Sequence, residues 1–299
     1  MLEIGFLNSG SKAEFTHLLA AFRDGLKLTG YKVVASASKE PKDVRIHAEW
    51  ADGDYSQLPT KAKLLFEKAV DVIAATGGIK SSAAALKYAS STGSRIPVLF
   101  ASGRATPKPG EEAANAKCVM LGTTTRKVED HQRHKRLREL LGPDANIYEL
   151  VNRNSAMHDD ESNWPKTVSA TNVAELKSAF QTAANGKADA LLVSGDPFFN
   201  SRRAEIIQLA SKHKLPVCYP WREYVEAGGL MSHGPNLTNL YRRLGIWAGM
   251  VLDGSQPKDL PDSDAGHREL VLNLKTAKKL NLPPAGLGKL LLKADLIVR

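Results

Sequence analysis

Cysteine is nearly absent: the 299 residues contain two, Cys118 and Cys218. That excludes a scaffold built on disulfides. Each sits in a short apolar run, CVML and PVCY, which predicts a small buried side chain, and the two lack metal-ligand spacing. No run of eighteen apolar residues occurs, so no membrane-spanning helix is expected. A basic, apolar, small-residue leader is missing from the start, where residues 2–7 already read as a core strand. Either the protein is cytosolic or a leader has been removed. Catalytic signatures are missing too: there is no Gly-x-Ser-x-Gly elbow and no His-Glu-x-x-His. Neither cysteine has a nucleophile's neighbours, and the eight histidines are scattered. His158, Asp159, Asp160 and Glu161 crowd together, but no second cluster matches them, so a polar loop or first helical turn is expected there. No enzyme, cofactor or metal is therefore expected.

Charge of one sign dominates only weakly. The net charge of +9 favours anionic partners in general. The densest basic stretch, RKVEDHQRHKRLR at 126–138, includes Glu129 and Asp130 and reads as the wet face of a helix. No zinc-finger or single-strand-binding aromatic pattern accompanies it, so nucleic acid is not an expected partner.

What is present is alternation. Apolar runs at 2–7, 44–50, 70–75 and 96–100 read as strands, each followed by a stretch of helical period. This βα repeat predicts a parallel, doubly wound α/β lobe. Three of the strands finish in small residues: Asn8-Ser9-Gly10-Ser11, Thr76-Gly77-Gly78 and Ala101-Ser102-Gly103. Small residues let a ligand approach backbone, and a helix N-terminus behind them suits a carboxylate. An ordinary helix cap by Ser9 or Ser11 fits the same residues. No Walker loop or dinucleotide fingerprint is present. Residues 104–117 read as a loop at a lobe boundary, and 118–122 as a strand that could cross to a second lobe. A charged helix at 123–141, a strand at 146–151 and a helix at 172–184 follow.

The stretch 188–235 carries the densest signal. A buried-type strand at 190–193 breaks at Ser194-Gly195-Asp196-Pro197. One helix follows, with Ile206, Ile207, Leu209 and Ala210 inward, and then a strand at 215–219 ending at Pro220 and Trp221. Such a βαβ unit makes the strands parallel neighbours, and ligands collect at their carboxyl ends. Phe198, Phe199, Tyr219 and Trp221 fit flat walls for a planar ligand, or core positions. Asp196 fits an acceptor for an ammonium or hydroxyl, or an N-cap. Arg222 fits a carboxylate clamp, or a surface pair with Glu223 or Glu226. The segment 230–232 reads as extended and as one that could return to the first lobe. A helix at 237–252, a linker at 256–266, a strand at 270–274 and a terminal helical stretch complete the chain.

DPFFNSRR followed by YPWREYVEAGGLMSHGPNLTNLYRR resembles the ABC-transporter substrate-binding family that includes TrpX-like tryptophan-binding proteins. The resemblance implies a type I periplasmic-binding-protein fold: two doubly wound parallel-sheet lobes joined by a three-strand hinge. It divides the chain into 1–117 plus 235–262 and 118–234 plus 263–299. The ligand is expected in the interlobe cleft. The first lobe would offer Asn8, Ser9, Gly10, Ser11, Gly77, Gly78, Ser81, Ala101, Ser102 and Gly103, holding a carboxylate on backbone N–H groups and hydroxyls. The second would offer Asn152, Asp196, Phe198, Tyr219 and Trp221. His233 stands where the family more often has tyrosine, and fits either the cleft or hinge packing. Against the family, the region 152–170 reads as shortened. The implied role is delivery of a small organic acid or amino acid, plausibly aromatic, to ABC permease subunits, from the periplasm after loss of a leader. A cytosolic ligand-sensing domain and an enzyme on a doubly wound sheet are the rival readings; the sensor would carry a helix-turn-helix before the first strand, and none precedes it here.

Overall fold

The computed structural model describes residues 1–35, 40–102, 116–120, 126–154, 166–261 and 268–299, with backbone alone at 101–102, 116–120 and 126–128. In chain order the elements are β1 (Leu2–Asn8), α1 (Lys12–Leu28), β2 (Lys32–Val33), β3 (Asp43–Trp50), α2 (Leu58–Glu67), β4 (Val72–Thr76), α3 (Ile79–Thr92), β5 (Val98–Ser102) and β6 (Ala116–Met120). Then come α4 (Arg126–Leu141), β7 (Ile147–Val151), β8 (Lys166–Ser169), α5 (Val173–Asn185), β9 (Ala190–Val193), α6 (Pro197–Ser201), α7 (Arg203–Lys212), β10 (Val217–Tyr219), α8 (Arg222–Glu226) and β11 (Met231–Pro235). The last are α9 (Leu237–Leu252), β12 (Arg268–Asn273), α10 (Leu274–Lys279), α11 (Pro284–Leu291) and β13 (Leu296–Val298).

The chain forms two compact units, Met1–Thr123 with Leu237–Gly266 and Thr124–Asn236 with His267–Arg299, so it passes between them three times. The first unit holds a six-stranded sheet, order β2-β3-β1-β4-β5-β6, parallel throughout. Side chains alternate across it. Leu7, Ile73, Ala75 and Phe100 pack with Leu65, Phe66, Ala85 and Leu86 of α2 and α3. Phe6 points the other way, 5.5 Å from Phe22 of α1 and 6.3 Å from Tyr241 of α9. α1 and α9 meet through glycine: a Cβ on Gly245 would lie 2.0 Å from the Phe22 carbonyl oxygen, and one on Gly25 equally close to that of Arg242.

The second unit holds a seven-stranded sheet, order β13-β12-β11-β10-β9-β7-β8. It is parallel except between β11 and β12, which run antiparallel. One face is covered by Leu137 and Leu140 of α4 and Leu290 of α11, packed on Ile147, Leu192, Cys218 and Met231. Cys218 is buried as expected, and burial pushes its thiol up to about 12, which leaves it protonated and inert. The side chain of Cys118 lies outside the described residues.

Four expectations are corrected. The strand read at 118–122 as a crossing element is β6; it pairs with β5 and stays in the first unit, so the chain leaves that unit at Thr123, not at 117. The segment 230–232 does not return to the first unit; it belongs to β11, inside the second sheet, and the chain leaves after Asn236. The third passage follows Gly266. The single helix expected after Asp196 is two, α6 and α7, divided at Arg202, whose φ of −115° leaves the helical range. His158 to Glu161 lie outside the described residues.

His233 on β11 is buried on the face opposite Ser232, where Arg133 Nη1 donates to its carbonyl oxygen at 3.3 Å. Burial, then the charges of Arg136, Arg133 and Arg268, lower its pKa to about 4, while Asp295 acts weakly the other way. A neutral buried histidine takes up its proton more readily when unfolded, so the folded state loses stability as pH falls from about 6.5 to about 4. His233→Gln is expected to flatten the melting-temperature profile across that window. An unchanged slope would place the acid sensitivity elsewhere.

Candidate functional site

In an open parallel sheet the crevice for a ligand lies where the strand order reverses. In the first unit that point is between β1 and β4, and in the second between β7 and β9. Among the described residues, those expected from sequence follow the ends of β1, β4 and β5 in the first unit and of β7, β9 and β10 in the second.

At the first, Asn8 Nδ2 donates to Thr76 Oγ1 at 2.9 Å and to the Tyr241 hydroxyl at 3.2 Å, and Asn8 Oδ1 accepts from Gly10 N–H at 2.7 Å. Asn8 thus braces the two strand ends. Ser9 Oγ donates to the Gly77 carbonyl, tying the loop after β1 to the loop after β4. Gly77 has φ +76°, and a Cβ there would lie 2.7–2.8 Å from Asn8 and Ser9 atoms, so only glycine fits the turn. Ser11 caps α1, accepting from Glu14 N–H at 3.4 Å. The N-terminus of α3 differs. Its N-cap is Gly78, which has no side chain to offer, and the first amides of a helix find no acceptor within it. Ser81, in that first turn, is fully buried and its hydroxyl has no hydrogen-bond partner. Ala101 and Ser102 end β5, directly beside β4; their side chains and Gly103 lie outside the described residues. Asn8, Ser9, Gly77, Gly78 and Ser81 therefore gather where β1 and β4 end and α3 begins, with Gly10 held by Asn8 and Ser11 opening α1.

At the second point three neighbouring strands, β7, β9 and β10, present Asn152, Asp196 and Tyr219–Trp221. Asn152 Nδ2 donates to Asp196 Oδ1 at 3.0 Å, and that oxygen also accepts from Phe198 N–H at 2.9 Å. Asp196 is thus the N-cap of α6 and a partner of Asn152 together. Phe198 lies 5.6 Å from Phe199, both buried. Tyr219 stacks on Tyr224 with centroids 4.7 Å apart and planes 14° from parallel. Trp221 is only partly buried, its ring over Gly195. Of the four aromatics named from sequence it is the one that is not buried. Arg222 pairs with Glu226 at 3.0 Å and Glu269 at 3.3 Å, the surface role rather than the clamp. Among the described residues no group of three His, Cys, Asp or Glu side chains has metal-site geometry, and no helix is long and apolar enough to cross a membrane.

Sequence reasoning missed Asn200 and Tyr224. Both are fully buried at this edge with polar side-chain atoms lacking partners. The signal was faint: Asn200 falls one helical turn after Asp196, and Tyr224 closes the WREY run.

Residues 165–285 match one family, the ABC transporter substrate binding proteins. The match to this substrate-binding family takes in α5 to α10 and thus the stretch that carries the resemblance. Solved structures extend the likeness of fold to the whole chain. A conserved domain protein from Vibrio cholerae O1 biovar El Tor superposes with a TM-score of 0.78 at 20% identity, covering 99% of each chain. The ABC domain from Streptococcus pneumonia in complex with L-Trp gives 0.76 at 20% identity, again over 99% of each. A solute binding protein from R. palustris in complex with benzoate gives 0.54 at 16% identity, over 84% of this chain and 79% of that one. No curated protein matches in sequence. The resemblance read from DPFFNSRR onward agrees with the family matched over residues 165–285, and over the whole chain the likeness is one of fold: parallel sheets in two lobes, as in the type I periplasmic fold.

Proposed function

We propose that this chain is the solute-binding component of an ABC importer, taking a small carboxylate or amino acid and passing it to the permease. The observation that carries the proposal is the placement of the polar and small residues at the switch point of each sheet. The uncapped first turn of α3, with Gly77, Gly78 and the Ser81 hydroxyl, supplies N–H and O–H donors for a carboxylate. Asn152 and Asp196 supply polar groups, and Trp221 an aromatic face, for the remainder of the solute. The L-Trp and benzoate held by proteins of the same fold are both aromatic carboxylates, which supports that class here. Capture of this kind is by non-covalent contacts alone, and no bond is made or broken. Export to the periplasm agrees with this role.

The test is a thermal-shift panel on the full chain with L-tryptophan, benzoate and aliphatic amino acids. A ligand at a hundred times its Kd stabilises by about 2.7 kcal/mol, which raises the melting temperature measurably. At least one aromatic carboxylate is expected to do so without being consumed. Turnover of the added acid would contradict the proposal.

A further inference from the structure

Asn200 lies on α6 with no exposed surface, and neither its Oδ1 nor its Nδ2 has a hydrogen-bond partner. Its backbone is engaged on both sides: the N–H donates to the Asp196 carbonyl at 3.0 Å, and the carbonyl accepts from Arg203 Nη1 at 3.3 Å. The side chain is therefore not spent on holding the turn. Tyr224 on α8 is equally buried, its ring fixed against Tyr219, its hydroxyl without a partner. Burial first, and then the charges of Tyr219, Asp196 and Arg203 among others, act on that hydroxyl. Asp196 and Arg203 thus bond the backbone of Asn200 and also act on the Tyr224 hydroxyl through their charges. A buried amide and a buried hydroxyl that bond to nothing lose their hydration without return, and native proteins rarely leave such groups so.

We infer that Asn200 and Tyr224 form a polar recess in the second unit that takes a neutral donor-and-acceptor group of the solute, a hydroxyl or a carboxamide. This rests on the solute-binding reading. An amide offers one acceptor and two donor hydrogens, and a phenol one of each, so their complement must both give and accept. A carboxylate has no proton for Asn200 Oδ1, and an ammonium has no acceptor for Nδ2. The solute is then an acid whose far end carries a hydroxyl or amide. A site built to bond such a group rejects the analogue that lacks it.

Two measurements on the full chain, freed of small molecules by dialysis, test this with wild type, Asn200→Leu and Tyr224→Phe. First, the variants are expected to melt at or above the wild-type temperature when empty, since each removes an unpaired polar group at nearly constant volume. A fall of more than about 4 °C in both would show that ordered waters or protein groups satisfy these atoms in the empty protein, and would overturn the recess. Second, wild type is expected to bind 4-hydroxybenzoate at least about tenfold more tightly than benzoate, with the ratio falling towards one in Asn200→Leu. Equal affinities in wild type, or a ratio that survives the substitution, would also overturn it. If wild type binds neither acid, the aromatic-acid reading fails, and the empty-state melting temperatures decide the recess by themselves.

Discussion

Replacing Trp221 with alanine is expected to weaken binding of the captured aromatic acid by about ten- to a hundredfold, each factor of ten being about 1.4 kcal/mol. The folded state should be little affected. Trp221 is only partly buried, and its side chain makes no cap hydrogen bond to α8. Removing its indole takes away an aromatic face that costs few rotors to hold still. Tyr219 provides the contrast. It is 1% exposed, stacked on Tyr224, with its ring edge where a Gly229 side chain would stand. Tyr219→Ala should therefore lower the melting temperature as well as affinity. Titration calorimetry on both variants, with Trp221→Phe as control, separates the two roles. Unchanged affinity in Trp221→Ala would remove the aromatic wall from the account.

The second large effect lies away from the site. A methyl at Gly245 would stand 2.0 Å from the Phe22 carbonyl oxygen, inside any van der Waals contact. That atom is helix backbone and has no rotamer by which to retreat, so α1 and α9 must separate. Gly245→Ala is expected to destabilise by about 3 kcal/mol, at the upper end for overpacking, and to lower the melting temperature by about 6–12 °C. α9 also carries Tyr241, which bonds Asn8 at the strand ends, so the same substitution should weaken carboxylate capture. Thermal unfolding followed by circular dichroism measures the first effect. A shift below about 2 °C would mean that the helices part at little cost.

Much of this was written in local pattern. The apolar run at 190–193 is β9, and the helical period at 237–252 is α9, because a buried strand and an amphipathic helix each leave a full period in the chain. Strand tips marked by NSGS and TGG were legible for the same local reason: turns need small residues. Pairing was not legible. Residues 116–120 look alike whether they cross between units or pair with β5, since the choice is made by partners distant in sequence. The antiparallel step between β11 and β12 leaves no trace in either strand's composition. β2, two residues long, has no period to read. At the site, Asp196 read equally as a cap or a polar contact; the structure gives it the cap and Asn152 together. Asn200 went unnoticed because an asparagine in a polar stretch predicts exposure, and only packing shows it buried without partners.

The most direct test of solute capture is native mass spectrometry of the full chain as purified from its producing cells. The account predicts a mass exceeding that of the polypeptide by one small organic acid, released on denaturation and reduced in Trp221→Ala. A bare polypeptide mass that stays bare after incubation with aromatic and aliphatic acids would contradict it.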